Sequence, residues 1–152
     1  MFWAAEGPPL MPGGYNPNLQ IFQGEHEVLI RHEMMGDARI IRTDGSGHID
    51  SRIRQYHGDS IGHWEGETLV VDTVGFNEKF WLTREGLPHT ETLHLIEKFS
   101  RPEYNTLRYE VTVDDPRAYT RPWTGGWTLR WVANEDIEEF FCEENAESTF
   151  TR

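Results

Sequence analysis

The sequence has little positive charge, a single cysteine and no long apolar run. Its 14 Lys and Arg residues stand against 26 Asp and Glu residues, which gives a net charge of −12. Nucleic acids and anionic membrane surfaces are bound by clustered cations, so this balance predicts neither partner. No segment approaches the roughly 20 consecutive apolar residues that a membrane helix needs. The charge favours a neutral or cationic ligand.

The only cysteine, Cys142, excludes a disulfide within the chain and a thiolate-rich zinc site. It follows Phe140 and Phe141, and such a thiol is typically buried and inert. The first residues show no basic segment followed by an apolar stretch, so we expect no signal peptide. The chain is then either cytoplasmic or a mature form whose signal was removed.

The composition that remains is that of a globular protein. A chain of 152 residues with 37% hydrophobic side chains is long enough for one domain with its own core. Residues 1–18 are rich in glycine and proline and predict an extended arm without regular structure. Residues 19–145 predict a β-barrel domain, and residues 146–152 a short tail.

Alternating apolar runs bounded by turn residues predict strands along most of the chain. They are Leu19–Gln23, Glu27–Met35, Ala38–Thr43, Ser60–Trp64, Glu67–Val74, Thr90–Ser100, Thr106–Asp114, Trp127–Val132 and Ile137–Glu143. No segment keeps a 3.6-residue apolar period over more than about three turns. The fold expected is therefore all-β, a single antiparallel β-barrel of about eight strands, a size that holds one small ligand.

The segment Leu93–Phe99 places a carboxylate on an apolar face. Side chains alternate across a strand, so Glu97 points where the leucines point. The same parity directs His32 and Tyr109 inward. A carboxylate, a histidine and a phenol in one apolar cavity are suited to acid–base catalysis. We predict Glu97 and His32 as acid and base, and Tyr109 as the group that orients the substrate.

Each of these three residues also has a structural interpretation. Glu97 could pair with Arg39 or with a buried backbone amide. His32 could be a core histidine with satisfied hydrogen bonds, and Tyr109 a packing residue whose hydroxyl finds a partner. Parity alone leaves both interpretations open.

The histidines show neither an HExxH motif nor a Cys/His pairing. On one strand His94 and Glu97 point to opposite faces, which makes them poor co-ligands. His57 and His63 could meet His89 or His94 across strands, so a metal-dependent enzyme with histidine ligands is a third alternative. The favoured prediction contains no metal and no cofactor.

Four strings of residues together are specific. They are Gly58–Thr73 (GDSIGHWEGETLVVDT), Leu93–Phe99 (LHLIEKF), Thr112–Pro116 (TVDDP) followed by Pro122–Thr124 (PWT), and Ala38–Gly45 (ARIIRTDG). Through them the chain, from Tyr15 to Asn145, resembles a widespread group of bacterial proteins of unknown function. The resemblance implies a lipocalin-like β-barrel. Relatives often carry a secretion signal, so it also implies a secreted or periplasmic location.

The resemblance carries over no catalytic role, because the family has no agreed activity. It draws attention to the residues inside the shared strings, which are Arg39, Asp72, His94 and Glu97. By parity His94 faces away from Glu97, so its presence in the same site would require a different register. The predicted substrate-binding residues are Arg39, Asp72, His94, Trp127 and Trp131, the two tryptophans because parity turns them inward.

Two functional classes remain. The first is a cofactor-independent lyase, isomerase or hydrolase that acts on a small uncharged organic molecule. The alternative is a non-catalytic, lipocalin-like binding protein in which the same polar groups only orient the ligand. The expected partner is a small organic molecule rather than nucleic acid or membrane, and a homodimer stays open.

Overall fold

The computed structural model describes residues 7–12, 17–83 and 85–137. Within these ranges one sheet of eight strands follows the order of the chain and curls into a half-barrel. The strands are β1 Leu19–Gln23, β2 Glu27–His32, β3 Ala38–Arg42, β4 Asp59–Glu65, β5 Thr68–Val74, β6 His94–Glu103, β7 Thr106–Asp114 and β8 Trp123–Arg130. The predicted all-β fold is confirmed. None of the described residues forms a helix able to span a membrane.

One junction of the sheet departs from the predicted antiparallel pattern. β3 and β4 run parallel, with Ile41 opposite Ser60 and Arg42 opposite Ile61, whereas the other neighbouring strands are antiparallel. Parallel neighbours cannot be joined by a tight turn, because the chain must first return to the starting end of the sheet. Residues 43–58 make this return, and they bring new side chains to the outer face.

The parity argument for the inner face is confirmed on β6 and β7. Leu95, Glu97, Tyr109, Val111 and Val113 are all buried. The intervening side chains of both strands are exposed or half-buried. Burying one such aliphatic side chain contributes about 1.5–3 kcal/mol, so a one-residue slip of register would be costly.

The carboxyl-terminal part of the sheet begins earlier than predicted. β8 starts at Trp123 rather than Trp127 because it contains Gly125 and Gly126, which have no side chains to show alternation. A Cβ on Gly126 would lie 2.7 Å from the Tyr109 carbonyl oxygen, so β7 and β8 approach closely there. The predicted strand at 137–143 lies, apart from its first residue, outside the described residues.

The described part of the arm, residues 7–12, has no regular structure but lies inside the half-barrel. Residues 7–10 are buried, and the Leu10 side chain belongs to the hydrophobic core. The Leu10 amide donates a hydrogen bond of 3.1 Å to the Tyr109 hydroxyl on β7. On the other side Gly7 adjoins the ring of His32 on β2. Since β2 and β7 each lie one strand from an edge of the sheet, the arm spans its open side.

Candidate functional site

Glu97 lies at the centre of an inner polar cluster. Its Oε1 accepts hydrogen bonds from Arg39 Nη1 at 3.0 Å and from the Tyr109 hydroxyl at 2.8 Å. Its Oε2 accepts from Arg39 Nη2, which completes a two-pronged ion pair between β3 and β6. The interpretation in which Glu97 pairs with Arg39 is confirmed.

The remaining donors of Arg39 extend this inner cluster to β4 and β5. Arg39 Nε donates to Ser60 Oγ at 3.0 Å and Nη2 to Thr73 Oγ1 at 2.8 Å, and the two hydroxyls lie 3.1 Å apart. The five members, Arg39, Ser60, Thr73, Glu97 and Tyr109, are 0–5% exposed. Their polar atoms bind one another in the interior, beyond the reach of a substrate in solvent.

The phenol of Tyr109 is a donor in this cluster. Burial, the charge of Glu97 and the hydrogen bond to Glu97 raise the pKa of Tyr109 well above its usual range. The hydroxyl therefore stays protonated, donates to Glu97 and accepts the Leu10 amide. This arrangement agrees with the packing interpretation of Tyr109.

His32 lies at the same inner face but is not joined to Glu97. Its ring is 3% exposed, and its Nε2 atom has no hydrogen-bond partner among the described residues. Burial, followed by the neighbouring His57 and Arg39, lowers the pKa of His32 to about 4, against the opposing charge of Asp37. At neutral pH His32 is an uncharged ring under the arm.

The two tryptophans predicted to line an inner cavity are separated. The Trp127 ring is half-buried, with its centroid 5.1 Å from that of Tyr109. Trp131 is 51% exposed and packs edge-to-face on Tyr104. The prediction that Trp131 faces inward was wrong, because β8 ends at Arg130 and its alternation does not continue.

Asp72 and His94 form part of a second cluster, on the outer face of the sheet. Asp72 Oδ1 lies 3.0 Å from His94 Nε2 and 3.1 Å from His48 Nε2, within hydrogen-bond distance of both. His94 thus faces away from Glu97, as parity predicted. The substrate-binding residues predicted from the shared strings therefore divide between the two faces, with Arg39 inside and Asp72 and His94 outside.

A second carboxylate holds His48 from its other side. Asp59 Oδ2 lies 2.8 Å from His48 Nδ1 and also accepts Arg42 Nη2 at 2.9 Å and the Ile49 amide at 3.1 Å. Carboxylates only accept hydrogen bonds, so both contacts of His48 are hydrogen bonds when both ring nitrogens carry protons. We call His48, Asp59, Asp72 and His94 the outer cluster.

The outer cluster borders an open cleft of about 280 Å³. His48, Asp59 and His94 are among its lining residues. The side chains of His48, Asp72 and His94 are 24%, 38% and 39% exposed, so solvent and small solutes reach them. A concave, accessible site with a few convergent polar groups is the usual form of a small-molecule site.

Sequence reasoning missed His48 and Asp59. His48 lies in the irregular crossover between β3 and β4, where no periodicity predicts the direction of a side chain. Asp59 lies inside the shared string Gly58–Thr73, so the resemblance could have indicated it.

The other histidine contacts expected across strands do not form. His57 pairs with Asp37 at 3.1 Å and His63 with Glu65 at 3.2 Å, while His89 packs against the ring of Phe80. The expectation that His57 and His63 meet His89 or His94 was wrong. In the portion of the chain that the structure covers, no group of three or more His, Cys, Asp or Glu side chains is arranged to hold a metal ion.

The chain matches no protein-family model, no curated protein and no solved structure. The resemblance to a bacterial family of unknown function therefore stays a prediction.

Proposed function

We propose that this protein carries out cofactor-independent acid–base chemistry on a small neutral or cationic organic molecule held in the cleft beside the outer cluster. One observation carries the proposal: two imidazole Nε2 atoms approach the same oxygen of Asp72, at 3.0 and 3.1 Å, at the wall of an accessible cleft. Imidazole is the side chain best suited to exchange protons near neutral pH.

The hydrogen bonds support different roles for the two rings. Asp59 holds His48 through Nδ1, so the proton on His48 Nε2 is the one that faces Asp72 and the cleft. His94 is anchored to Asp72 through Nε2, which leaves its Nδ1 as the basic atom. In this proposal His48 is the acid, His94 the base, and Asp72 the residue that positions both rings.

The charges around the cleft favour a neutral or cationic substrate. Its lining includes the carboxylates of Asp50, Asp59 and Glu91. The lining cation Arg54 already lies 3.7 Å from a Glu91 oxygen. Among the described lining residues no arginine or lysine other than Arg54 is present, so an anion would meet the carboxylates and the net charge of −12.

In this proposal the outer cluster supplies the acid and the base that were first predicted among Glu97, His32 and Tyr109. The inner residues are buried under the arm, and Glu97 is neutralised by Arg39. An acid or base must come within hydrogen-bond reach of its substrate. The cleft-lining position of His48 and His94 supports such a role for them, whereas the inner residues are buried.

Substitutions at the outer cluster test the proposal. Neutral and cationic nitrophenyl esters test for hydrolysis. Ketones with an acidic α-hydrogen test for isomerisation and elimination, and the exchange of that hydrogen for deuterium is followed by NMR. We expect a bell-shaped pH dependence of kcat/KM and a loss of at least about 100-fold in His94→Gln and in Asp72→Asn. His63→Gln, an exposed histidine outside the cleft, is the matched control and should retain full activity.

Equal rates for His94→Gln and His63→Gln would contradict the proposal. The complete absence of turnover, combined with calorimetric binding of the same compounds that His94→Gln abolishes, would favour the second candidate.

That second candidate is a lipocalin-like binding protein. It is favoured by the mutual pairing within the outer cluster, where each carboxylate contacts an imidazole and could simply fix the cleft walls. The sequential order of eight strands around a curled sheet is shared with lipocalin-like barrels, from which the parallel pairing of β3 and β4 departs.

A further inference from the structure

The inner face of the half-barrel contains a groove that is filled by a segment of the chain itself. Residues 7–10 of the arm lie in it and are buried. At one end the Leu10 amide donates to the Tyr109 hydroxyl at 3.1 Å. At the other end Gly7 packs on His32 so closely that a Cβ would lie 3.1 Å from Nε2. We call the space between Tyr109 and His32 the arm groove.

The chemistry of the arm suits an apolar interior. Pro8 and Pro9 have no N–H groups, so their burial leaves no backbone donor unpaired. Leu10 adds an aliphatic side chain to the core, and its amide donates to the Tyr109 hydroxyl. Gly7 has no side chain to collide with the ring of His32.

Few polar contacts join residues 7–12 of the arm to the other described residues. His32 Nε2 is buried, faces Gly7 and has no hydrogen-bond partner among them, so at this end the contact between arm and groove is one of packing. Both ends also lie one strand from the open edges of the sheet, on β2 and β7. An occupant can leave or enter from the open side while the strands stay paired.

We propose that the arm groove is a peptide-binding site, and that a second copy of this chain supplies residues 7–10 to it by exchange of arms. An exchanged arm makes the same contacts as the chain's own arm, so the exchange costs little free energy beyond that of association. The partner recognised is a segment with a small residue, two prolines and a leucine in succession. This inference goes beyond the proposed function, because the arm groove and the outer cluster lie on opposite faces of the sheet.

The test uses the full chain with Leu10→Asp, whose charged side chain is expelled from the core and frees the arm groove. The probe is a synthetic peptide with the sequence of residues 6–12, Glu-Gly-Pro-Pro-Leu-Met-Pro. We expect one-to-one binding by calorimetry, a shift of the Trp127 indole signal in NMR and unchanged signals for His48 and His94. A control peptide carrying aspartate in place of leucine should bind at least about tenfold more weakly.

Equal binding of both peptides, or none, to the folded variant would overturn the proposal. Should Leu10→Asp fail to fold, the full chain with Leu10→Ala, which vacates the leucine position without a charge, takes its place under the same criteria.

Light scattering of the unaltered chain distinguishes the source of the segment. Arm exchange predicts dimers whose fraction rises with concentration from the micromolar to the millimolar range. If the chain binds the peptide but stays monomeric over the whole concentration range, the exchange of arms between copies is overturned. The segment that binds the arm groove would then come from another protein.

Discussion

Glu97 and Arg39 are two opposite charges that have been removed from water together. Removal of one partner leaves the other buried without compensation, which typically costs about 3–5 kcal/mol out of a total stability of about 5–15 kcal/mol. The pair is therefore a requirement of the folded state rather than a source of catalytic protons.

Glu97→Gln should accordingly lower the free energy of unfolding by about 3–5 kcal/mol in urea denaturation. Glu103→Gln, at the exposed end of β6, is the control and should change it by less than about 0.5 kcal/mol. A loss below about 1 kcal/mol for Glu97→Gln would show that the ion pair contributes little.

His32 makes the stability of the protein depend on pH. Burial lowers its pKa from 6.5 to about 4, so between these values the unfolded state binds a proton that the folded state rejects. The contribution of His32 is fully present above pH 6.5 and is lost as the pH falls towards 4. The expected loss is about 3 kcal/mol.

Urea denaturation from pH 7 to pH 4 measures this effect. His32→Gln should remove most of the decline, whereas His26→Gln, an exposed histidine, should leave the profile of the unaltered chain. Identical slopes for His32→Gln and the unaltered chain would assign the pH dependence to other groups.

At the scale of elements, Gly58 determines where β4 begins and hence where Asp59 lies. Its φ of +64° is unfavourable for other residues, and a Cβ would lie only 2.6 Å from the Val74 carbonyl oxygen. Gly58→Ala should therefore lower the free energy of unfolding by about 2 kcal/mol and displace Asp59 from His48.

Denaturation and the NMR signal of the His48 ring would measure both effects of Gly58→Ala. Gly47→Ala, which meets open space and needs no positive φ, is the matched control. A stable Gly58→Ala protein with an unchanged His48 signal would contradict this account.

Elements with a regular side-chain alternation were predictable from the sequence. β7 was predicted at its observed bounds because every second residue from Leu107 to Val113 is apolar. The crossover at 43–58 has no such period, so neither the parallel pairing of β3 and β4 nor the position of His48 followed from it. Alternation directed Glu97, His32 and Tyr109 inward, but it indicated neither Ser60 nor Thr73 as members of the inner cluster. It gives a direction and not a partner, so the pairing of Glu97 with Arg39 stayed one of two interpretations.

At the scale of the whole molecule, the net charge of −12 opposes compaction. Raising the ionic strength from 0.01 to 0.15 M shortens the screening length from about 30 to about 8 Å and weakens this repulsion. The free energy of unfolding in urea should rise over this range. A fall would mean that exposed ion pairs outweigh the general repulsion.

The position of the arm also determines when it docks during folding. Each strand of the sheet pairs with its neighbours along the chain, so the sheet can grow by local steps, whereas Leu10 meets Tyr109 across 99 positions. The arm precedes every strand of the sheet in the chain, yet it is the last segment to dock, after β7 has formed. Leu10→Ala should speed unfolding and leave the refolding rate unchanged in stopped-flow measurements, and a slower refolding rate would instead place the arm in the folding nucleus.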